Sequence, residues 1–218
     1  MNQIDMRLVK TRYDYPEYYW VIDRKPIVRY LDEYVKAGKC PGLEPFGSLS
    51  GLMPAWTGEL EWKSDNDFVW EMIDSPDTLN VPVLVCEDDA DLSCVVILVR
   101  IRKTDRYVYW DKIGVLDHRN GSPEEENRSG IAYLESYTEE DWEKYGDNIA
   151  AEQYDSREFW QWVRANWDEE MIRRRRNYTW PYMQKDENVI WIAQTDWVFD
   201  AGQYNEMVEK YRRVYREK

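Results

Sequence analysis

The densest run of apolar residues lies between Val81 and Leu116, and polar turns divide it into three short segments. These segments cover residues 81–86, 94–102 and 106–112, and each is rich in β-branched side chains. Runs of this length and composition, separated by turn residues, are typical of β-strands. We therefore predict an antiparallel meander. The second segment is apolar at consecutive positions, which predicts a central strand covered on both faces.

The chain before the meander combines regular elements with one irregular segment. Residues 17–23 predict a strand, and the apolar repeat that runs from Pro26 to Gly38 predicts a helix over 25–37. Residues 39–58 interleave four glycines and three prolines with large apolar side chains. We interpret this segment as an ordered loop that packs onto the core, and a loop that lines a pocket is the alternative.

Two further strands are predicted between this loop and the meander. Residues 59–63 and 67–73 alternate in a way that is typical of strands. Ser64, Asp65 and Asn66 lie between them and suit a turn. We therefore predict a β-hairpin over this region.

The C-terminal part of the chain predicts helices and one strand. Thr138 begins a short helix, with Asp141 near the position of the capping-box acid. A longer helix is predicted over 155–176, then a strand over 189–197 and a final helix over 203–216. The apolar face of the longer helix consists of Trp160, Val163, Trp167 and Met171. We assign this face to the core rather than to a cofactor site.

These elements predict an α+β fold in which an antiparallel β-sheet, with the meander 81–112 at its centre, is covered by helices. A length of 218 residues suits a single domain, 1–218, with a core large enough to need no disulfides.

The net charge of the chain indicates which classes of partner it can bind. The formal net charge is −14, and residues 1–170 alone carry 36 acidic and 19 basic side chains, a net charge of −17. A surface this negative repels nucleic-acid phosphates and attracts basic proteins. The segment MNQIDMRLVK has no apolar signal-peptide core, and no run approaches membrane-spanning length. We expect a cytoplasmic protein that binds neither nucleic acid nor membrane.

The sequence lacks the motifs of several catalytic classes. His118 is the only histidine, which excludes sites with several histidine ligands, and we interpret it as a solvated loop residue. The segment Gly47–Gly51 has leucine at its centre, so it is not a nucleophile elbow. The Gly38–Lys39 pair has Glu33 where a phosphate-binding loop needs glycine. We predict no catalytic residues and no cofactor. Whether the chain is an enzyme stays open, and we favour a protein without enzymatic activity.

Cys86 and Cys94 flank the first meander turn and would face each other across a hairpin. With Cys40 they could form a three-thiolate zinc site, but we favour small buried side chains. The acidic residues between them lack the spacing of a calcium-binding loop. We therefore predict no metal.

The favoured function is binding of a basic protein partner. Small size, acidity, abundant tryptophan and absence of motifs make the chain similar in composition to immunity proteins of bacterial toxin systems, which implies neutralisation of a cationic toxin. The alternative is a carboxylate-based hydrolase that acts on a sugar or another small substrate. The partner-binding carboxylates that we predict are Glu87, Asp88, Asp89, Asp91, Glu124, Glu125 and Glu126.

Overall fold

The structure, a computed structural model, describes residues 1–10, 16–38, 51–117, 138–145, 157, 161 and 164–218. Two antiparallel sheets, one of three strands and one of five, are combined with helices. The predicted α+β class is confirmed.

The smaller sheet is formed by the N-terminal residues. It consists of β1 (Ile4–Lys10), β2 (Pro16–Ile22) and β3 (Lys25–Pro26), and helix α1 (Ile27–Lys36) follows at once. Asp23 and Arg24 both have positive φ, as the two-residue turn between β2 and β3 requires. The predicted strand over 17–23 and helix over 25–37 are both confirmed.

The larger sheet has the order β4-β5-β6-β7-β8. Its middle three strands form the predicted meander, and β8 confirms the strand predicted over 189–197. The strands are β4 (Leu52–Pro54), β5 (Leu79–Cys86), β6 (Val96–Lys103), β7 (Tyr107–Leu116) and β8 (Val189–Asp200).

Strand β6 is central and covered on both faces, as predicted. Val96 through Val99 are completely buried. On one face, Arg100 donates from Nε to Asn80 Oδ1 (2.8 Å), and Asn80 donates in turn to the carbonyl of Met183 (2.7 Å). On the other face lies Ile101, which pairs with Trp110 of β7.

An aromatic cluster joins the two sheets. The ring of Trp20 in β2 lies 4.9 Å from that of Trp56 and 6.1 Å from that of Trp110, between ring centroids. It also stacks on Tyr211 of the last helix at 4.7 Å. All four side chains are buried. Five of the twelve tryptophans, Trp20, Trp56, Trp70, Trp110 and Trp197, are therefore part of the buried core.

The hairpin predicted over 59–63 and 67–73 is wrong, because this region contains helix α2 (Lys63–Asp74). The predicted turn residues form the first turn of that helix and are buried. Asn66 donates from its amide to the carbonyls of Leu60 (2.9 Å) and Trp62 (3.0 Å) and so holds the chain that enters the helix.

The remaining helices lie in the C-terminal half. The predicted capping box is confirmed, since the Asp141 N–H donates to Thr138 Oγ1 (3.2 Å). Of the helix predicted over 155–176, Trp160 and Val163 lie outside the described residues, and Met171 is buried. The elements are α3 (Glu139–Tyr145), α4 (Trp167–Arg174), a π-helical turn (Arg175–Thr179), α5 (Trp180–Gln184), a 3-10 turn (Asp186–Asn188) and α6 (Ala201–Arg216).

Candidate functional site

The turn between β5 and β6 is fixed by hydrogen bonds at both of its ends. The Cys86 N–H donates to the carbonyl of Val95 (3.0 Å), and the Ala90 N–H donates to the carbonyl of Cys86 (2.9 Å). Ala90 has a φ of 49°, which is uncommon for a residue with a Cβ atom, and Leu92 is completely buried. The acidic turn, defined here as residues 87–91, is therefore shaped by the fold itself.

Two neighbouring segments also hold the acidic turn. The Glu87 N–H donates to the carbonyl of Gly51 (3.0 Å), and the Glu61 N–H donates to the carbonyl of Ala90 (2.8 Å). The second bond brings an additional exposed acidic residue, Glu61, beside the turn. No local pattern in the sequence indicates Glu61 as a site residue, because a long-range backbone contact places it beside the turn.

The four predicted carboxylates of the turn differ in exposure. Asp88 and Asp89 are exposed, whereas Glu87 and Asp91 are half-buried. Burial, together with the negative charge of Asp88, raises the pKa of Glu87. Asp91 accepts hydrogen bonds from the N–H (2.8 Å) and the hydroxyl (2.7 Å) of Ser93.

None of these four carboxylates forms an ion pair with a lysine or arginine in the part of the chain that the structure describes. Other acidic side chains are neutralised internally: Asp186, for example, accepts from Arg100 and from Lys112. The acidic turn is therefore a local concentration of negative charge without a counter-charge among the described residues. Glu124, Glu125 and Glu126 lie outside the described residues, so their membership of the site stays a prediction.

Cys86 and Cys94 face each other across the base of the turn, as the hairpin predicted. Together with Asp89 they form a cluster in which the two sulfur atoms and one carboxylate oxygen lie within 4.8 Å of one another. Both cysteines are free and half-buried. Burial and hydrogen bonding with Asp89 and Cys86 raise the pKa of Cys94 to about 12. Cys40 lies outside the described residues.

Several basic side chains of the C-terminal region form internal ion pairs. Arg173 and Arg174 both contact the buried Glu170, and Arg176 pairs with Glu71. In the last helix, Lys210 and Arg212 pair with Asp5 and Asp74. Carboxylates of the same chain therefore pair with all five of these cations.

A cavity of about 250 Å³ lies between β1, β2 and α6. Among the residues on its wall are two carboxylates, Asp5 and Glu206, and no tryptophan. Asp5 pairs with Arg7 (3.3 Å) and Lys210 (2.5 Å). These contacts lower the pKa of Asp5, although burial, the largest single influence, opposes them. The residues that line this cavity therefore include no aromatic ring on which a sugar could stack.

His118 lies outside the described residues, and so do residues 39–50 of the Gly/Pro-rich segment. In the rest of the Gly/Pro-rich segment, Leu52, Met53 and Trp56 are buried. This part of the segment packs onto the core, which agrees with the favoured interpretation.

Among the described residues, no helix combines the length and the apolar character needed to cross a membrane. Comparison with known proteins adds no relative: the chain matches no protein-family model, no curated protein and no solved structure.

Proposed function

We propose that this chain is a protein-binding domain that docks a basic protein partner on its acidic turn. The observation that carries the proposal is the set of four carboxylates, Glu87, Asp88, Asp89 and Asp91, that have no ion-pair partner among the described cations. Unneutralised charges of one sign accelerate encounter with a partner of the opposite sign and set the orientation of binding.

The fixed conformation of the turn supports this role. A loop that is already held by its own backbone bonds loses little conformational freedom on binding, so more of the interaction energy appears as affinity. The bonds at Cys86, Glu87 and Ala90 hold the turn in this way. Lysine and arginine side chains of a partner would meet carboxylates in set positions.

The most concrete form of the proposal is an immunity-type protein in the cytoplasm that neutralises a basic toxin. The net charge of −14 supports a cationic partner. The internal pairing of Arg173, Arg174 and Arg176 supports the expectation that nucleic acid is not bound, because carboxylates of this chain already engage these three guanidinium groups. The product of the adjacent gene is the first partner to examine, since an immunity gene lies beside its toxin gene.

The test compares two charge-matched variants for binding of that basic partner. Glu87→Gln/Asp88→Asn removes two carboxylates from the turn, and Asp105→Asn/Glu187→Gln removes two exposed carboxylates elsewhere. We expect the turn variant to weaken binding at least about tenfold, which corresponds to about 1.4 kcal/mol, and the control to bind nearly as tightly as the wild type. The affinity is measured by titration calorimetry.

Ionic strength provides a second readout. Between 0.1 M and 1 M salt the Debye length falls from about 10 Å to about 3 Å, so binding steered by the turn must weaken sharply. Equal losses in the two variants, or an affinity that does not respond to salt, would contradict the docking site. If the protein binds its partner without inhibiting it, the immunity role is wrong even though the docking site stands.

A further inference from the structure

The side chains at the base of the acidic turn have the composition of a metal site. Cys86 ends strand β5, Cys94 lies just before β6, and Asp89 comes back from the turn towards both of them. The two sulfur atoms and one Asp89 oxygen are mutually within 4.8 Å. Three potential ligands therefore converge on one point although they come from different parts of the hairpin.

The separations are close to those that zinc imposes. Tetrahedral zinc lies about 2.3 Å from thiolate sulfur and about 2.0–2.2 Å from a carboxylate oxygen, which places ligand atoms about 3.5–3.8 Å apart. The three ligand atoms therefore need to approach one another by no more than about 1 Å. Side-chain rotation can supply a movement of this size, because Asp89 is exposed and both cysteines are only half-buried.

The chemistry of the cluster selects the metal. Two sulfur ligands and one carboxylate oxygen favour a borderline-soft divalent ion over magnesium or calcium, which prefer all-oxygen sites. Partial exposure of all three ligands leaves a path for the ion and a fourth position for water or a partner's side chain.

We propose that Cys86, Cys94 and Asp89 bind one zinc ion through two thiolates and one carboxylate. On binding, Zn²⁺ takes the place of the two thiol protons, which are released to the solvent, and the carboxylate of Asp89 supplies the third ligand atom. The cluster has a charge of −1 before binding and −1 afterwards, because the ion adds two positive charges and the lost protons remove two. Zinc therefore leaves the net charge of the acidic turn unchanged.

The test is zinc titration of the full-length protein, reduced with a metal-free phosphine, against a chromogenic zinc indicator. We expect one zinc ion per chain. Cys86→Ser and Cys94→Ser are each expected to weaken binding by more than about a hundredfold, because even loss of an outer partner of a zinc ligand costs about 10–100-fold. Asp89→Asn is expected to weaken binding by at least about tenfold.

Two control variants define the ligand set. Asp91→Asn makes the same chemical change as Asp89→Asn on the same turn, and Cys40→Ser makes the same change as the other cysteine variants. Both are expected to retain the wild-type affinity. If Cys40→Ser abolishes binding, the site uses three thiolates and the proposed ligand set is wrong.

Proton release and spectroscopy test the chemistry itself. Displacement of two thiol protons makes the apparent dissociation constant fall by about a hundredfold per pH unit between pH 6 and pH 7. Cobalt substitution is expected to give thiolate-to-metal charge-transfer absorption that both cysteine variants lose. Absence of that absorption in the wild type overturns the proposal even if a cysteine variant fails to fold. A Cys86–Cys94 disulfide that persists in the reduced protein also overturns it.

The zinc site and the docking site can fail separately. Glu87→Gln/Asp88→Asn leaves the three zinc ligands in place, so this variant should retain zinc whether or not it loses the partner. If Asp89→Asn loses zinc binding but largely retains partner binding, the result supports the metal site and not a docking role for Asp89.

Discussion

At the residue scale, the most consequential interactions of the described structure are buried ion pairs. Arg175 donates from Nε to one oxygen of Asp65 (2.8 Å) and from a terminal nitrogen to the other (3.2 Å). It also donates to the Thr179 hydroxyl (3.2 Å). Both charged side chains are almost completely buried. Removal of one partner leaves an uncompensated charge in the interior, and that is costlier than the pair's net contribution.

We therefore predict that Asp65→Asn or Arg175→Met alone lowers the free energy of unfolding by about 3–5 kcal/mol. The double variant is expected to lose less free energy of unfolding than the two single variants lose in sum, because the second substitution removes the charge that the first leaves unpaired. Urea denaturation followed by tryptophan fluorescence measures each free energy.

The neighbouring pair Arg176–Glu71 is the matched control. Arg176 is the next residue along the chain, and its side chain is 54% exposed. An ion pair in water contributes about 0–1 kcal/mol, so Arg176→Met should be nearly neutral. Equal losses at Arg175 and Arg176 would show that burial does not govern the energetics of this arginine run.

At the element scale, helix α2 shows why part of the fold was not predictable. Its apolar residues are nearly consecutive, and it is buried around much of its circumference, including Ser64, Asp65 and Asn66. A helix surrounded by protein has no clean 3.6-residue periodicity, and polar residues at its start imitate a turn. Only the distant partner Arg175 reveals that Asp65 belongs to the interior.

The same limit applies to the candidate site. The meander and its acidic turn were predictable because β-branched runs and turn residues are local signals. The approach of Cys86 to Cys94 followed from the hairpin. The approach of Glu61 to Ala90, and of Asp89 to both thiols, depends on the path of the backbone through the turn and on long-range contacts.

Substitution of Asn66 with glycine distinguishes the two local structures. In a hairpin, the resulting Asp-Gly pair would favour the turn. In helix α2, the substitution removes the amide that bonds Leu60 and Trp62 and adds the backbone entropy of glycine. We expect Asn66→Gly to lower the free energy of unfolding by about 2–4 kcal/mol.

Lys63→Gly serves as the control for Asn66→Gly because Lys63 is an exposed residue of the same helical turn. We expect Lys63→Gly to lower the free energy of unfolding by about 1 kcal/mol, because glycine has a lower helix propensity than lysine and because a weak ion pair to Asp67 is lost. Unchanged or increased stability of Asn66→Gly in urea denaturation would argue against helix α2.

At the scale of the whole molecule, buried tyrosines link stability to alkaline pH. Tyr19, Tyr204 and Tyr211 are each at most 2% exposed. Tyr19 and Tyr211 donate from their hydroxyls to the carbonyls of Leu52 (2.7 Å) and Tyr18 (2.9 Å). Burial raises the pKa of all three tyrosines well above the ordinary value. Each therefore keeps its proton in the folded chain at a pH where the unfolded chain releases it.

We predict a steep loss of stability above pH 10. A group whose pKa is raised by folding contributes its full stability below the unfolded pKa, here about 10, and loses it as the pH rises towards the folded value. Each proton retained by the native state lowers the free energy of unfolding by about 1.4 kcal/mol per pH unit. The three tyrosines together give a slope of about 4 kcal/mol per pH unit. Urea denaturation at several pH values between 9 and 11.5 measures it.

Phenylalanine variants assign this slope to individual residues. Tyr211→Phe loses the bond to Tyr18 and costs about 1 kcal/mol at pH 8, yet it should make the alkaline slope shallower by about 1.4 kcal/mol per pH unit, since one retained proton is gone. Tyr204→Phe should reduce the slope by a similar amount. Differences between variants cancel the titration of every other group, so an unchanged slope in both would mean that these tyrosines do not link folding to pH.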